Sequence, residues 1–328
     1  MYLGIEIGGT KLQLGIGPGD GTLRALIRRS VDVAAGGEGI RRQIEETVPL
    51  LLQQANLPSR AIRGMAYGFG GPVDDHTRRV LKSHQVAGWD GFPLAAWSES
   101  RLGFPCALGN DCDVAALAEA SFGASRGHDP VFYVTVGSGI GGGLVLQGRI
   151  YRGSGRGAAE IGHLRLRGRH VCPRTGHWIE FGPLEDFASG WAIQRTAAAR
   201  LRDEPQRSSV LRGLASNQLT VQAIGEAARN GDDLAREVLA EAVRYLAWGV
   251  CQVIALLAPK CIVVGGGVSL LGEDLFFAPL RAAVAEHVFR PFANTYVILP
   301  AELGEEVVVH GALALARSRF ADAGDSPG

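Results

Sequence analysis

Sulfur is scarce in this chain of 328 residues, which holds five cysteines and two methionines. The cysteines, at 106, 112, 172, 251 and 261, are odd in number, scattered and set mostly in apolar sequence. That pattern excludes a disulfide framework and predicts reduced core thiols. A charge of one sign is also missing: 33 Lys and Arg stand against 33 Asp and Glu, which removes any bulk attraction to nucleic acid or an anionic membrane. Long apolar runs are lacking too. The most apolar helical candidate, Tyr245 to Pro259, is interrupted by Gln252 and falls short of the roughly 18 apolar residues a membrane span needs. No charged leader precedes the first strand, so no secretory signal is expected and a cytoplasmic setting is. Glycine, by contrast, is abundant at 46 residues, within a composition that is 46% hydrophobic and 20% charged. Such a chain can bury a sizeable interior, and its length favours two domains.

Strand-like and helical runs alternate. Strands are expected at 2–7, 12–17, 63–69 and 105–109, and helices near 38–55, 93–102 and 112–123. This order predicts an α/β layered domain with a largely parallel sheet. The pattern restarts at Pro130, where the β-branched run Val131–Val136, a Gly-rich turn and a second strand at Gly143–Leu146 repeat the layout of the first hairpin. The stretch 151–190 is rich in Gly, Arg and His, poor in periodicity and long for a connection, so a packed functional loop is expected there. Helices dominate from Trp191 onward, the longest at about 233–257. A strand at Cys261–Val264 runs into Gly265-Gly266-Gly267, and a last helix starts near Val308.

Five constellations can carry chemistry. Gly8, Gly9, Thr10 and Lys11 end the apolar run of GIEIGGTK; two residues without Cβ let main-chain N–H groups approach an oxyanion, and a hydroxyl and a cation follow. Gly137-Ser138-Gly139, behind Thr135, repeats the arrangement after a second strand. Gly265 to Gly267 could let a nucleotide base or ribose lie on bare backbone. Each of the three also fits a turn that needs glycine for conformation alone. Asn110-Asp111 stands where a strand meets a helix: as an ordinary N-cap, or as a general base with an amide partner for a sugar diol, at the strand end where open α/β sheets place ligands. Glu160 and His163, in the irregular stretch, and Glu185 beyond it could accept hydrogen bonds from vicinal hydroxyls, although solvation explains any single Glu. His163, His170, Cys172 and His177 raise zinc without the spacing of a paired CxxC site.

Taken together and in this order, the motifs resemble those of the ROK family of sugar kinases, in the superfamily with the actin-like ATPase fold, over nearly the whole chain. GIEIGGTK is similar to the family's first phosphate motif, and GFGGPVDD at 68–75, with Gly71, to its sugar-side loop. GWDGFPLAAW at 88–97 resembles the segment leading to the catalytic strand, Asn110-Asp111 the family's Asn-Asp pair, and TVGSGIGGG at 135–143 the second phosphate motif. GAAEIGH at 157–163 resembles the Glu-x-Gly-His signature, and LEDFASG at 184–190 the Leu-Glu segment that closes the sugar site.

The resemblance implies a two-domain actin-like (ribonuclease H-like) fold with a ligand cleft between a domain at 1–115, completed by a helix at 306–321, and another at 116–305; residues 322–328 read as a disordered tail. It implies an ATP-dependent hexose kinase with Asp111 as general base and with Gly71, Asn110, Glu160, His163 and Glu185 around the sugar. Gly8 to Lys11, Thr135 and Gly137 to Gly139 would cradle phosphates, and Gly265 to Gly267 would lie near the adenosine. Glu6 stands where most of the superfamily has Asp and keeps a Mg²⁺-related role, as in the fructokinase-like branch. Of the family's three zinc cysteines after Gly-His only Cys172 remains, with Pro183 at the last position, so zinc is not expected unless His163, Cys172 and His177 hold it. The helix-turn-helix of the family's repressor branch is not seen, so DNA binding is not expected; a homodimer is. A sugar-sensing protein of the same fold without catalysis is the other reading.

Overall fold

The computed structural model describes residues 1–83 and 85–321; the tail at 322–328, expected to be disordered, lies outside the described residues. The chain opens with β1 Tyr2–Ile7, β2 Lys11–Gly17 and β3 Ala25–Ser30, followed by α1 Gly36–Gln54 and β4 Gly64–Phe69. A small ribbon of β5 Val73–Asp74 and β6 Arg79–Val80 comes next, then α2 Leu94–Leu102, β7 Cys106–Asn110 and α3 Asp111–Ser121. The first sheet has the order β3-β2-β1-β4-β7. β1 and β2 form a hairpin whose ladder sets Glu6 opposite Gln13, while β1, β4 and β7 run parallel. Every residue of β1 and β4 is buried, as in parallel strands covered on both faces. α1 presents Ile40, Ile44, Val48 and Leu51 to the core at helical spacing.

The second half begins with β8 Val131–Val136, β9 Ile140–Leu146 and β10 Arg149–Ile150, and continues through β11 Arg165–Val171, β12 Trp178–Pro183, α4 Glu185–Ala188, α5 Gly190–Asp203, α6 Val221–Arg229 and α7 Asp233–Leu257. β13 Cys261–Gly265, α8 Ala278–His287, β14 Val297–Pro300 and α9 Val307–Phe320 complete it. The second sheet has the order β10-β9-β8-β13-β14. Two compact units result: Met1–Tyr133 with Gly143–Ala158 and the chain from Glu302, and Val134–Gly142 with Ala159–Ala301. A division at 115–116 would cut through α3. That helix is locked into the first unit by α9, where a Cβ on Gly311 would stand 1.8 Å from the Val114 carbonyl oxygen.

Two expectations change. The stretch 151–190 is not irregular throughout, because β11 and β12 pair antiparallel within it. Most of their residues outside the Leu166, His170, Val171 and Gly182 positions are partly or fully exposed, so the apolar alternation that marks a strand is weak. The ladder is instead dressed with cross-strand pairs: the Arg169 guanidinium lies 4.3 Å from the Trp178 ring centroid, and Arg167 lies 3.3 Å from Glu180. The long helix expected at about 233–257 is α7 itself, but its apolar part is longer than Tyr245 to Pro259. Asp232 caps it, accepting from the Ala235 N–H at 2.9 Å, and its most apolar window, with mean hydropathy 1.4, is long enough to cross a membrane by length and composition. Of that window 61% is buried inside the protein, the condition of a core helix.

Candidate active site

In the first unit the residues singled out from sequence gather at the carboxyl ends of β1, β4 and β7. The turn after β1 is tight, with the Gly8 N–H donating to the Lys11 carbonyl at 3.0 Å. Neither Gly8 nor Gly9 takes a positive φ, so backbone freedom is not what they supply. Space is: a Cβ on Gly9 would stand 2.0 Å from Gln85 Oε1. Glu6, only 6% exposed, is held on both oxygens, Oε1 lying 3.2 Å from Lys11 Nζ and Oε2 accepting from Gln13 Nε2 at 2.6 Å. Gln13 is fully buried, and its Nε2 also donates to the Glu305 carbonyl at 2.8 Å while its Oε1 accepts from Arg28 Nε at 2.8 Å. Donors and acceptors on both sides leave one orientation for this amide. Burial nonetheless pushes the Glu6 carboxyl above its ordinary range, against the pull of Lys11 and Gln13.

Asn110 and Asp111 join β7 to α3. The Asn110 Oδ1 caps the helix, accepting from the Cys112 N–H at 2.9 Å and the Asp113 N–H at 3.3 Å, and its Nδ2 donates to the Gly71 carbonyl at 3.0 Å. The N-cap reading is therefore realised, and the same side chain ties down the loop after β4. Asp111 accepts from the Cys112 N–H through Oδ1 at 2.9 Å; a Cβ on Gly70 would stand 3.6 Å from its Oδ2. Its pKa is pushed up to about 6, first by burial and further by the Glu6 charge, against the Cys112 hydrogen bonds. A carboxylate poised near neutrality at the end of a parallel strand, on a strand-to-helix junction, has the properties of a general base.

In the second unit the turn Gly137-Ser138-Gly139 closes on itself, with the Gly137 N–H donating to the Gly139 carbonyl at 2.9 Å. Its carbonyls are taken by the head of α5, Gly190 N–H bonding Gly137 at 2.7 Å and Trp191 N–H bonding Ser138 at 3.4 Å. Gly266, at φ +88, lies directly on β8: a Cβ there would meet the Val136 carbonyl at 2.6 Å and Thr135 Oγ1 at 2.8 Å. The third glycine run and the Gly137–Gly139 turn are thus brought together, while apart from chain neighbours no described atom comes within 4 Å of a Cβ on Gly137 or Gly267. Glu185 leans on the turn, its Oε2 accepting from the Ile140 N–H at 3.4 Å. Glu160 and His163 are exposed, on and beside the short 3₁₀ turn Ile161–His163.

The zinc candidates do not fit that ion. Among the described residues no group of three or more His, Cys, Asp and Glu is placed to hold a metal. His163 and His177 are exposed, His170 Nε2 faces the Phe181 carbonyl at 3.3 Å, and the Cys172 thiol is engaged by Thr175 and the Arg174 backbone, which lower its pKa. Sequence reasoning missed Gln13, Gln85 and Arg152. Gln13 was findable, since a hairpin turn over Gly8–Thr10 pairs it with Glu6.

Two five-stranded sheets with glycine turns within their leading hairpins, and a carboxylate at the end of the third parallel strand, form the two-domain actin-like α/β fold. The ROK family model matches residues 2–319. The chain belongs to the ROK family. It is 31% identical to the glucokinase of Thermotoga maritima over 322 residues, covering 97% of this chain and 98% of that one. It is likewise similar to the structure of a ROK family glucokinase from Streptomyces griseus in complex with glucose and AMPPNP, with TM-score 0.76, 32% identity and coverage of 97% and 99%. The ROK hexokinase of Thermus thermophilus is similar at TM-score 0.78 and 28% identity, covering 97% and 98%.

Proposed function

We propose that the chain is an ATP-dependent hexose kinase in which Asp111 is the general base. One observation carries the reading: Asp111 is a buried carboxylate at the end of β7, its Oδ1 fixed by the Cys112 N–H at 2.9 Å and its pKa pushed up to about 6 by burial, in the unit that holds the Gly8–Lys11 turn. At pH 7 it is largely ionised, yet basic enough to take the proton of a sugar hydroxyl as that oxygen attacks the γ-phosphorus. Gly8 to Lys11 act on the phosphates in this reading, with Thr135 and Gly137 to Gly139 as the second cradle and Gly265 to Gly267 beside the adenosine. Gly71, Asn110, Glu160, His163 and Glu185 hold the sugar, so that most of the rate comes from positioning and charge stabilisation.

Mg²⁺ fits the residues present. Glu6 offers carboxylate oxygens, the donor type this hard cation prefers, at a place where Lys11 Nζ already stands 3.2 Å from Oε1 as a positive partner; Asp111 keeps its oxygens for the sugar proton. When bound, the ion would offset phosphate charge. A cytoplasmic setting and a second copy of the chain as partner belong to the same reading; nucleic acid and membrane do not. The test is a coupled assay of ADP release across glucose, fructose, mannose and N-acetylated amino sugars. Hexose-dependent release supports the reading, and hexose binding without ADP release from any sugar would replace it with a sensor.

A further inference from the structure

The chemistry above leaves unused a nearly buried arginine of the first unit. Arg152 follows β10, and its side chain is 12% exposed. Its guanidinium donates to Asp113 Oδ2 and, through Nη2, to the Val73 carbonyl at 2.8 Å, and its Nε lies 3.6 Å from Asp75 Oδ2. Asp113 belongs to the first turn of α3, just past Asp111, whereas Val73 and Asp75 belong to the loop that leaves β4. That loop begins with Gly70, whose N–H donates to the Ile7 carbonyl at 2.9 Å and where a Cβ would stand 3.6 Å from Asp111 Oδ2. Asn110 spans the same gap through Gly71.

The loop is therefore tied to the β7–α3 junction at Gly71, Val73 and Asp75, and a single arginine makes the last two ties. A planar fork with five donors can serve a helix carboxylate, a loop carbonyl and a loop carboxylate together; an ammonium point charge cannot. The segment bearing Arg152 reaches the loop through Gly155, at φ +95, where a Cβ would stand 2.6 Å from the His76 ring. Burying an arginine between two aspartates is costly unless each charge is paired; here Asp113 takes a hydrogen bond, while Asp75 balances the charge as an ion pair at 3.6 Å without a hydrogen bond to Nε.

We propose that Arg152 is a positioning residue of the sugar side of the site, clamping the Gly70–Asp75 loop to the head of α3 so that the loop and the Asp111 carboxylate keep one relation to each other. The proposal rests on the hexose-kinase reading. Because misplacement of about 1 Å at a reacting centre can cost on the order of 10²-fold, a clamp here acts on sugar affinity and turnover, and it leaves nucleotide affinity alone.

The test combines amide hydrogen exchange of the full chain with calorimetric titration of hexose and of a non-hydrolysable ATP analogue, for wild type, Arg152→Met, Arg152→Lys and Asp75→Asn. In Arg152→Met, exchange at 70–76 should rise about tenfold or more while α7 is unchanged, and hexose affinity should fall about tenfold or more with nucleotide affinity within about twofold. Arg152→Lys should recover part of the hexose affinity, since it keeps charge without the fork. If Arg152→Met does not fold, Arg152→Lys and Asp75→Asn each remove single ties and carry the same comparison. Unchanged exchange at 70–76, or equal losses for hexose and nucleotide, would overturn the clamp. Wild type that binds hexose without releasing ADP would defeat the kinase reading while these measurements still decide on Arg152; wild type that binds no hexose would defeat both.

Discussion

The candidate residues of the two units differ in how they are held. In the first, Glu6 is gripped through both oxygens, Asn110 makes bonds on each end of its amide, and Asp111 is buried beside a like charge. In the second, Glu160 and His163 are exposed and Glu185 makes one long contact with the Ile140 N–H. Buried charges must be partnered in the folded chain itself, and their geometry is consequently set before any ligand arrives. Exposed carboxylates cost little to keep and gain their partners from what binds. On this account the base is fixed within the first unit before any ligand arrives, and Glu160 and His163 of the second take their partners from the sugar that binds.

The largest effect that could break this contrast is at Asp111. Asp111→Asn keeps size and hydrogen bonding and removes the base, so kcat should fall by about 10²–10⁴ with hexose affinity nearly intact; retention of more than about a tenth of kcat would take the base away from this residue. Next come Glu160→Gln and Glu185→Gln, each expected to weaken hexose binding by roughly 1.5–3 kcal/mol, the scale of a hydrogen bond to a charged group, with nucleotide affinity little changed. Calorimetry with both ligands reads this, and equal losses for both in the Glu185 variant would assign it to the fold or to the Gly139–Ile140 turn it leans on. Gly266→Ala sharpens the contrast from the other side. A side chain at φ +88 against the Val136 carbonyl should cost about 1–3 kcal/mol of stability and weaken nucleotide more than hexose. Thermal unfolding and the same titrations test it. The smallest expected effect concerns metal: purified protein should hold less than one equivalent of zinc by elemental analysis, and activity should survive chelation followed by Mg²⁺ resupply, because four good ligands are not assembled. Stoichiometric zinc would contradict this.

Much of the fold was legible because its signals are local. β1 and β2 announce themselves as apolar runs flanking Gly8-Gly9, and that turn fixes the register that sets Glu6 against Gln13. Asn110-Asp111 at a strand–helix junction was legible as a cap, and the cap is realised in Asn110; Asp111 as base is the proposal made above, for which its burial is the support. The hairpin of β11 and β12 was hidden because its strands are largely exposed and rich in arginine, with cation–π and ion pairs in place of apolar alternation. The reason for Gly9 was hidden for another cause: the group it makes room for, Gln85, comes from a distant loop. Arg152 was unreadable on the same ground, since its partners stand at 73, 75 and 113 and no periodic pattern joins them.

The central claim is that the first unit holds a base tuned by burial and by Glu6, and the pH dependence of kcat/KM for hexose-dependent ADP release tests it most directly. The base must be ionised to act. A folded-state pKa raised from 3.8 to about 6 therefore predicts that activity is full above pH 7 and falls through an acid limb centred near 6, about tenfold per pH unit below it. The same shift predicts that folding stability contributed by the neutral carboxyl is present below the unfolded pKa and lost as pH rises through about 6, so Asp111→Asn should be more stable than wild type at pH 8 by about 1–3 kcal/mol. An acid limb at the ordinary carboxylate pKa near 4, or activity flat from pH 5 to 8, would contradict the account.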